Sequence, residues 1–224
     1  MYKKLIVLAL ALLMTTSCST THQTSRAPKP SGFLIDYSML NNGKFGEAHK
    51  IYVKSQTNWK QYNKIMIDPI QIWASKDSDI NKAPKKDVKS ILSYLHASIR
   101  HAVQEDFEIT HAPGPRVLRL KVALTDGQAS RPISDLVSNL IPFSLALSYI
   151  KRIAGRTHTS VGLASVEAEL VDSVSGERLM ATMDSRAGTK VIRGKLDSWD
   201  DVKGAFEHWS RKLYSRLKYL SAGK

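Results

Sequence analysis

Two stretches of the chain have the hydrophobic pattern of amphipathic helices. Apolar residues in 87–106 recur three or four positions apart, which places them on one helix face. The same period runs through 198–220, where Ser198 and Asp201 resemble a capping box with aspartate in place of glutamate. The two apolar stripes comprise Val88, Ile91, Leu92, Leu95, Ile99, Ala102 and Val103 in the first helix, and Val202, Phe206, Trp209, Leu213, Leu217 and Leu220 in the second.

Other stretches alternate apolar and polar residues, which predicts β-strands with one buried face. They are 64–73, 117–125, 161–171 and 178–186, and residues 173–176 supply a turn between the last two. Pro69 interrupts the first, so we expect an edge strand or a bulge there. Residues 32–62, which are rich in aromatic and turn residues, predict an irregular segment wrapped on the domain.

Charges on two of these strands predict how they pair. Arg119 and Lys121 lie on the polar face of one strand, and Glu167 and Glu169 lie on the polar face of the other. Opposite charges on paired strands are favourable, so we expect antiparallel neighbours whose charged faces meet solvent. The order strand, helix, strands, helix then predicts an α+β fold, with two helices packed on one face of a mainly antiparallel sheet.

The N-terminus has the pattern of a bacterial lipoprotein signal peptide. Lys3 and Lys4 precede the apolar run 5–14, and small polar residues then lead to Cys18. This pattern predicts cleavage after residue 17 and acylation of Cys18, although Thr15 stands where leucine is usual. The alternative is an ordinary signal peptide with a free thiol at Cys18. Ser19, in the sorting position, favours the outer membrane over retention in the inner membrane.

The domain organisation follows from this reading. Residues 18–31 form the lipidated cysteine and a flexible tether, because the stretch is polar and contains two prolines. Residues 32–224 form a single α+β domain without a disulfide, since Cys18 is the only cysteine. The prediction is a lipid-anchored outer-membrane protein whose domain faces the periplasm.

The formal net charge of +13 bears on the partners. A basic cytoplasmic protein would suggest nucleic acid, but in the envelope the polyanions are anionic glycolipids and phospholipid headgroups. We therefore expect no nucleic acid partner. The alternative is a basic surface that is simply solvated.

Residues 131–156 form an apolar insertion with a basic end. Pro142 interrupts its helical period, and the stretch is too polar to span a membrane. Three interpretations stay open: a helical hairpin in the core, an interfacial segment on anionic headgroups, or an element that inserts into a membrane or forms oligomers. The candidate contact residues are Ile133, Leu136, Val137, Leu140, Phe143, Leu147, Lys151, Arg152 and Arg156.

The sequence contains no motif that predicts catalysis, a cofactor or a metal site. The pattern Ser148 to Lys151 matches a Ser-x-x-Lys pair but lacks its companion motifs. His96 and His101 point in different directions on a helix, so they do not predict a shared metal ion. We therefore expect a protein that is not an enzyme.

Four stretches together resemble a family of bacterial lipoproteins known as domain of unknown function 3313. They are GFLIDYSML from Gly32, YNKIMIDPIQIW from Tyr62, NLIPFSLALSYIKRIAG from Asn139 and SVEAELVDSVSGERLMATMD from Ser165. The resemblance implies a lipoprotein and transfers no active site. The order of helices and strands is also similar to the periplasmic domains of curli-type secretion and transport-auxiliary lipoproteins, at the level of fold alone.

The functional prediction is a non-enzymatic envelope lipoprotein, anchored in outer-membrane lipid through Cys18, that binds a protein partner or an anionic glycolipid. The alternative is a ring- or pore-associated secretion or transport auxiliary lipoprotein with a membrane-inserting segment. Oligomers are possible under both interpretations.

Overall fold

The computed structural model describes residues 21–129, 161–188 and 199–223. Strands in these ranges form one mixed sheet of nine strands, and two long helices accompany it. The strands are β1 (Thr21–Gln23), β2 (Asn41–Asn42), β3 (Lys50–Val53), β4 (Lys64–Ile67), β5 (Gln71–Ile72), β6 (Glu108–Thr110), β7 (Val117–Gln128), β8 (Leu163–Asp172) and β9 (Arg178–Gly188); the helices are α1 (Lys85–Val103) and α2 (Asp200–Ser221).

Three long antiparallel strands, β7, β8 and β9, form the centre of the sheet. On one side, β1 and β3 both pair antiparallel with β9, and β2 pairs with β3. On the other side, β4 and β5 pair parallel with β7, and β6 pairs parallel with β4. The fold is therefore α+β, and most strand pairs in the described sheet are antiparallel.

Both helices contribute to the main apolar core. The buried stripe of α1 consists of Ile91, Leu95, Ile99 and Val103, all from the predicted set. From α2, Val202, Phe206 and Leu217 are buried in the same cluster, together with alternate residues of β7 and β8. The helices begin and end within a few residues of the predicted bounds, because the helical period of their apolar residues is strong.

The predicted pairing of two charged strands is confirmed. β7 and β8 are antiparallel neighbours, and Lys121 lies directly opposite Glu169, with Nζ 3.0 Å from Oε1. The predicted exposure of Glu167 is wrong, because its side chain is fully buried. Its carboxylate accepts hydrogen bonds from the Ser31 backbone N–H and the Tyr37 hydroxyl, both at 2.7 Å.

The segment 31–40 is what covers this face of the sheet. Phe33 and Leu34 pack on Ala123, Ala181 and Met183 in a second apolar cluster. The irregular segment predicted for 32–62 is thus correct for this part of the chain. It is wrong for β2 and β3, which extend the sheet beyond β9.

The prediction of a flexible tether through residue 31 is wrong for Thr21–Gln23, which is strand β1. Thr21 is buried, and the Arg186 guanidinium donates to its backbone carbonyl at 2.6 Å and to its hydroxyl at 3.2 Å. Pairing with β9 and this guanidinium contact fix a stretch whose sequence alone has no strand period.

Pro69 divides the predicted strand at 64–73 into β4 and β5, as its missing N–H requires. The residue before it, Asp68, keeps the connection on the sheet: its N–H donates to Leu120 O at 2.9 Å, and its carboxylate forms an ion pair with Arg119.

The predicted turn at 173–176 is confirmed, with Gly176 at φ +72° and Asp172 Oδ1 accepting two backbone N–H groups.

Candidate functional site

The site residues predicted from the sequence lie outside the described ranges. They are the acylation site Cys18, the sorting residue Ser19, and the contact residues Ile133, Leu136, Val137, Leu140, Phe143, Leu147, Lys151, Arg152 and Arg156. Their roles stay predictions. The candidate site in the described part of the protein is one that the sequence did not single out.

A cavity of about 550 Å³ lies between the sheet and α2. Val122, Ala168 and Thr182 stand side by side on β7, β8 and β9, and all three line the cavity. Because this row of side chains is short, the helix above it leaves space that larger residues would fill. Apolar side chains from the neighbouring rows and from both helices complete the wall; they include Leu95, Ile99, Leu120, Val166, Met180 and Leu213.

The mouth of the cavity is formed by the loop before β3 and the second half of α2. Glu47 of this loop forms an ion pair with Arg216 of the helix. The Lys44 backbone N–H donates to the Glu47 carboxylate at 2.8 Å, and this bond together with Arg216 lowers the pKa of Glu47. Phe45, at the rim, is fully exposed.

Gly43 allows this loop to turn tightly. Its N–H donates to the His49 carbonyl at 3.0 Å, and a Cβ added there would lie 1.9 Å from the Ala48 carbonyl oxygen. No side chain fits in that space, so glycine is needed for the loop to reach the cavity.

The charge at the mouth is positive. Lys44, Lys212 and Arg216 line it, and Glu47 offsets Arg216; Glu169 also borders the cavity, but its carboxylate pairs with Lys121 and Arg178. Asp184 also borders the cavity, but its carboxylate faces His49, with Oδ1 2.7 Å from Nδ1. Chemically, the site therefore combines an apolar chamber with a cationic opening.

Asp184 is the centre of a buried hydrogen-bond network beside the cavity. Its carboxylate accepts from Gln23 Nε2 at 2.6 Å, Trp209 Nε1 at 2.8 Å, and both the ring and the backbone N–H of His49. The second ring nitrogen of His49 lies 2.8 Å from the Thr24 carbonyl oxygen. Both ring nitrogens of His49 thus have a protein oxygen within hydrogen-bond distance, so both are engaged inside the domain.

This Asp184–His49 pair has the separation of a catalytic dyad but not the environment. A general base needs one imidazole nitrogen free to take a proton from a substrate or nucleophile. Here the Thr24 carbonyl occupies that position, so the pair holds β1 and the mouth loop together. The sequence contains one signal for this pair, because Asp184 is an aspartate at an inward-facing position of an alternating strand. Our sequence prediction did not use that signal.

A second polar cluster joins β1, β9 and α2. Arg186 is buried, and burial lowers the pKa of its guanidinium. Its Nη1 lies 3.2 Å from Nε2 of His208. Burial, followed by the nearby charge of Arg186, lowers the pKa of His208 to about 4. At neutral pH the imidazole is therefore uncharged and can accept the hydrogen bond from Arg186.

Residues 29–213 match the sequence profile of a family described as protein of unknown function (DUF3313). The chain belongs to this family. The match includes all four stretches on which the resemblance rested, the strands that line the cavity and the part of α2 up to Leu213. Membership of the DUF3313 family assigns no activity, because the family itself has none established. No curated protein matches the chain.

The chain is also similar, at low sequence identity, to several solved structures. The PelC dodecamer from Paraburkholderia phytofirmans is 14% identical, with 75% of this chain and 94% of that chain covered and a TM-score of 0.40. A putative lipoprotein from Caulobacter crescentus is 14% identical, with 70% and 92% covered and a TM-score of 0.34. Lipoprotein GNA1162 from Neisseria meningitidis is 15% identical, with 72% and 99% covered and a TM-score of 0.30.

Two further observations concern this DUF3313 protein. Among residues 21–129, 161–188 and 199–223, no group of three His, Cys, Asp or Glu side chains is placed to hold a metal ion. Neither helix in the same ranges has the length and apolar content needed to cross a bilayer.

Proposed function

We propose that this protein is a non-enzymatic lipoprotein, anchored in the outer membrane by acylated Cys18, that binds an anionic amphiphile of the envelope. The apolar part of the ligand would occupy the cavity, and its charged group would lie at the mouth. In this arrangement both helices would cover the same face of the sheet and enclose the bound chain. The domain would face the periplasm.

The cavity is the observation that carries this proposal. Its volume of about 550 Å³ is in the range of small-molecule sites, which are mostly apolar with a few polar groups that fix orientation. Lys44 and Lys212 at the mouth supply the positive charge that an anionic headgroup needs. A purely structural packing defect would not require charged residues around its opening.

Binding can be measured with a dansyl-labelled undecanoic acid, whose fluorescence rises in an apolar site. We expect saturable binding to the full-length protein and weaker binding of the corresponding primary amide, which carries no charge. Reversing both mouth lysines, Lys44→Glu and Lys212→Glu, should weaken binding of the acid by tenfold or more, since about 1.4 kcal/mol of lost attraction corresponds to a factor of ten.

Two kinds of variant separate a real site from general attraction. Lys60→Glu with Lys86→Glu makes the same change in net charge at exposed positions away from the cavity, and should leave binding unchanged. Ala168→Leu should fill the chamber and abolish binding without lowering the free energy of unfolding. Equal binding by all of these proteins, or no binding by the unmodified chain, would refute the proposed ligand site.

Anchoring is tested separately in cells. Metabolic labelling with an alkyne fatty acid should modify the wild-type protein and not Cys18→Ser. Separated membranes should contain the labelled protein in the outer-membrane fraction, and Ser19→Asp should move it to the inner membrane. Labelling that survives Cys18→Ser would contradict the predicted anchor.

A further inference from the structure

The strand nearest to Cys18 in the chain, β1, lies at one end of the sheet, together with the start of β8 and the ends of β7 and β9. Thr21 of β1 pairs with Gly188, the last residue of β9, and Leu163 at the start of β8 pairs with Ala187. Gln128, at the end of β7, lies opposite the same leucine. We call this the Thr21 end of the sheet; the turn 173–176 lies at the opposite end.

The first residues of α2 also lie at the Thr21 end. The carboxylate of Asp201 accepts a hydrogen bond from the Gly162 N–H at 2.9 Å. A Cβ added at Gly188 would lie 2.0 Å from Asp201 Cγ, so the helix start packs directly against the end of β9. The Thr21 end therefore presents one continuous surface of strand ends and helix start.

The chain between Cys18 and this surface is very short. Only three residue steps separate Cys18 from Thr21, and three extended residues span at most about 11 Å. Thr21 itself cannot move outward to lengthen this link, because it is paired with Gly188 and accepts two hydrogen bonds from Arg186.

We infer that the Thr21 end of the sheet rests on the phospholipid headgroups of the membrane that holds Cys18. The inference rests on the proposed acylation of Cys18. The acylated cysteine lies at the level of the headgroups, so a link of about 11 Å leaves no room for a domain that rotates freely. The occupant of this surface is thus a lipid headgroup layer rather than a second protein.

The orientation that follows is specific. The strands run away from the membrane, since β8 extends ten residues from the Thr21 end to the opposite end. At about 3.3 Å per residue, the turn 173–176 stands about 30 Å farther from the membrane. The apolar stretch 131–156 joins the domain at the Thr21 end, between the ends of β7 and β8.

The absence of other cysteines from the sequence permits a direct test. In acylated protein, Val161→Cys places a single free thiol at the Thr21 end, at a partly exposed position, and Val174→Cys places one at the exposed opposite end. Each thiol is labelled with a fluorophore, and the protein is reconstituted into phosphatidylethanolamine and phosphatidylglycerol vesicles that contain lipids with a spin-labelled headgroup. We expect quenching at position 161 and none at position 174.

A spacer variant tests the cause of the orientation. Inserting a long Gly/Ser sequence between Ser19 and Thr21 should abolish the quenching at position 161. Equal quenching at both positions, or quenching at 161 that survives the spacer, would overturn the inference. Alkyne fatty-acid labelling of the same samples distinguishes the proposed acylation of Cys18 from the proposed orientation. Protein that is not labelled refutes the acylation. Labelled protein without selective quenching at position 161 refutes only the orientation.

Discussion

At Gly188 a single added methyl group should have a large effect on stability. A Cβ built there lies 2.0 Å from Asp201 Cγ and 2.2 Å from each carboxylate oxygen. Asp201 is 2% exposed and accepts the Gly162 N–H at 2.9 Å, so it cannot move without losing a buried hydrogen bond. Overpacking costs about 1–3 kcal/mol, and a lost hydrogen bond to a charged group costs about 1.5–3 kcal/mol.

We therefore expect Gly188→Ala to lower the free energy of unfolding by about 3 kcal/mol, or Tm by roughly 6–12 °C in a domain of this size. Urea and thermal unfolding monitored by circular dichroism measure both quantities. Gly114→Ala is the matched control, because no atom lies within 4 Å of the added Cβ. It should change stability by less than about 0.5 kcal/mol.

A double-mutant cycle tests whether the steric contact is the cause. In an Asp201→Ala background, Gly188→Ala should cost no more than about half as much, because the carboxylate that it would strike is gone. If Gly188→Ala lowered the free energy of unfolding equally in the wild-type and Asp201→Ala backgrounds, the steric contact would not be the cause. A Gly188→Ala variant as stable as Gly114→Ala would also refute the argument.

Three further variants probe other contacts, each by urea unfolding. The pKa of His208 in the folded protein is about 4, so lowering the pH from 6.5 to 4 protonates this histidine mainly in the unfolded chain. Over that range the free energy of unfolding of the wild type should fall by about 1–2 kcal/mol relative to His208→Gln, after allowance for partial exposure. Parallel plots of unfolding free energy against pH for the two proteins would contradict this. Glu167→Ala leaves the Ser31 N–H and the Tyr37 hydroxyl without their acceptor. We therefore expect the free energy of unfolding to fall by about 2–4 kcal/mol and proteolysis within 31–40 to become faster, with smaller effects for Glu167→Gln. Ile35 has φ +58° and is 93% exposed, so Ile35→Gly should be neutral or stabilising by up to about 1 kcal/mol, and a clear loss of stability would argue against strain.

The long elements of the fold were predictable because their periods are visible over many residues. Both helices and the strands β7, β8 and β9 repeat apolar residues often enough to identify the buried face. The pairing of β7 with β8 was also predictable, since Lys121 and Glu169 carry complementary charges on faces of the right parity.

The short strands β1 and β3 were not predictable for the opposite reason. β1 has three residues and β3 has four, so neither shows a period that distinguishes it from a loop. Their place in the sheet depends on contacts distant in sequence, such as Arg186 with Thr21. The burial of Glu167 likewise depends on the segment 31–40, which lies more than 120 residues away along the chain.

The cavity could be found only from the register of three strands. Val122, Ala168 and Thr182 are ordinary strand residues one at a time, and their short side chains leave space because the strand pairing places them in one row. The cationic mouth adds residues from a loop and a helix that are far apart in sequence, Lys44 and Lys212. Periodicity predicts which side chains face inward, but it does not predict where those side chains fail to fill the interior.

The strand closest to Cys18 is also bonded to the mouth of the cavity. Gln23 of β1 donates through one Nε2 to Asp184 at 2.6 Å and to the Glu47 carbonyl at 2.9 Å. Glu47 in turn pairs with Arg216 across the opening. A protein shortened to begin after Gln23 would lose these bonds together with the anchor, so altered ligand binding by such a fragment would not separate the two proposals. The full chain, acylated or carrying Cys18→Ser, keeps β1 in the sheet and makes anchoring and ligand binding independently measurable.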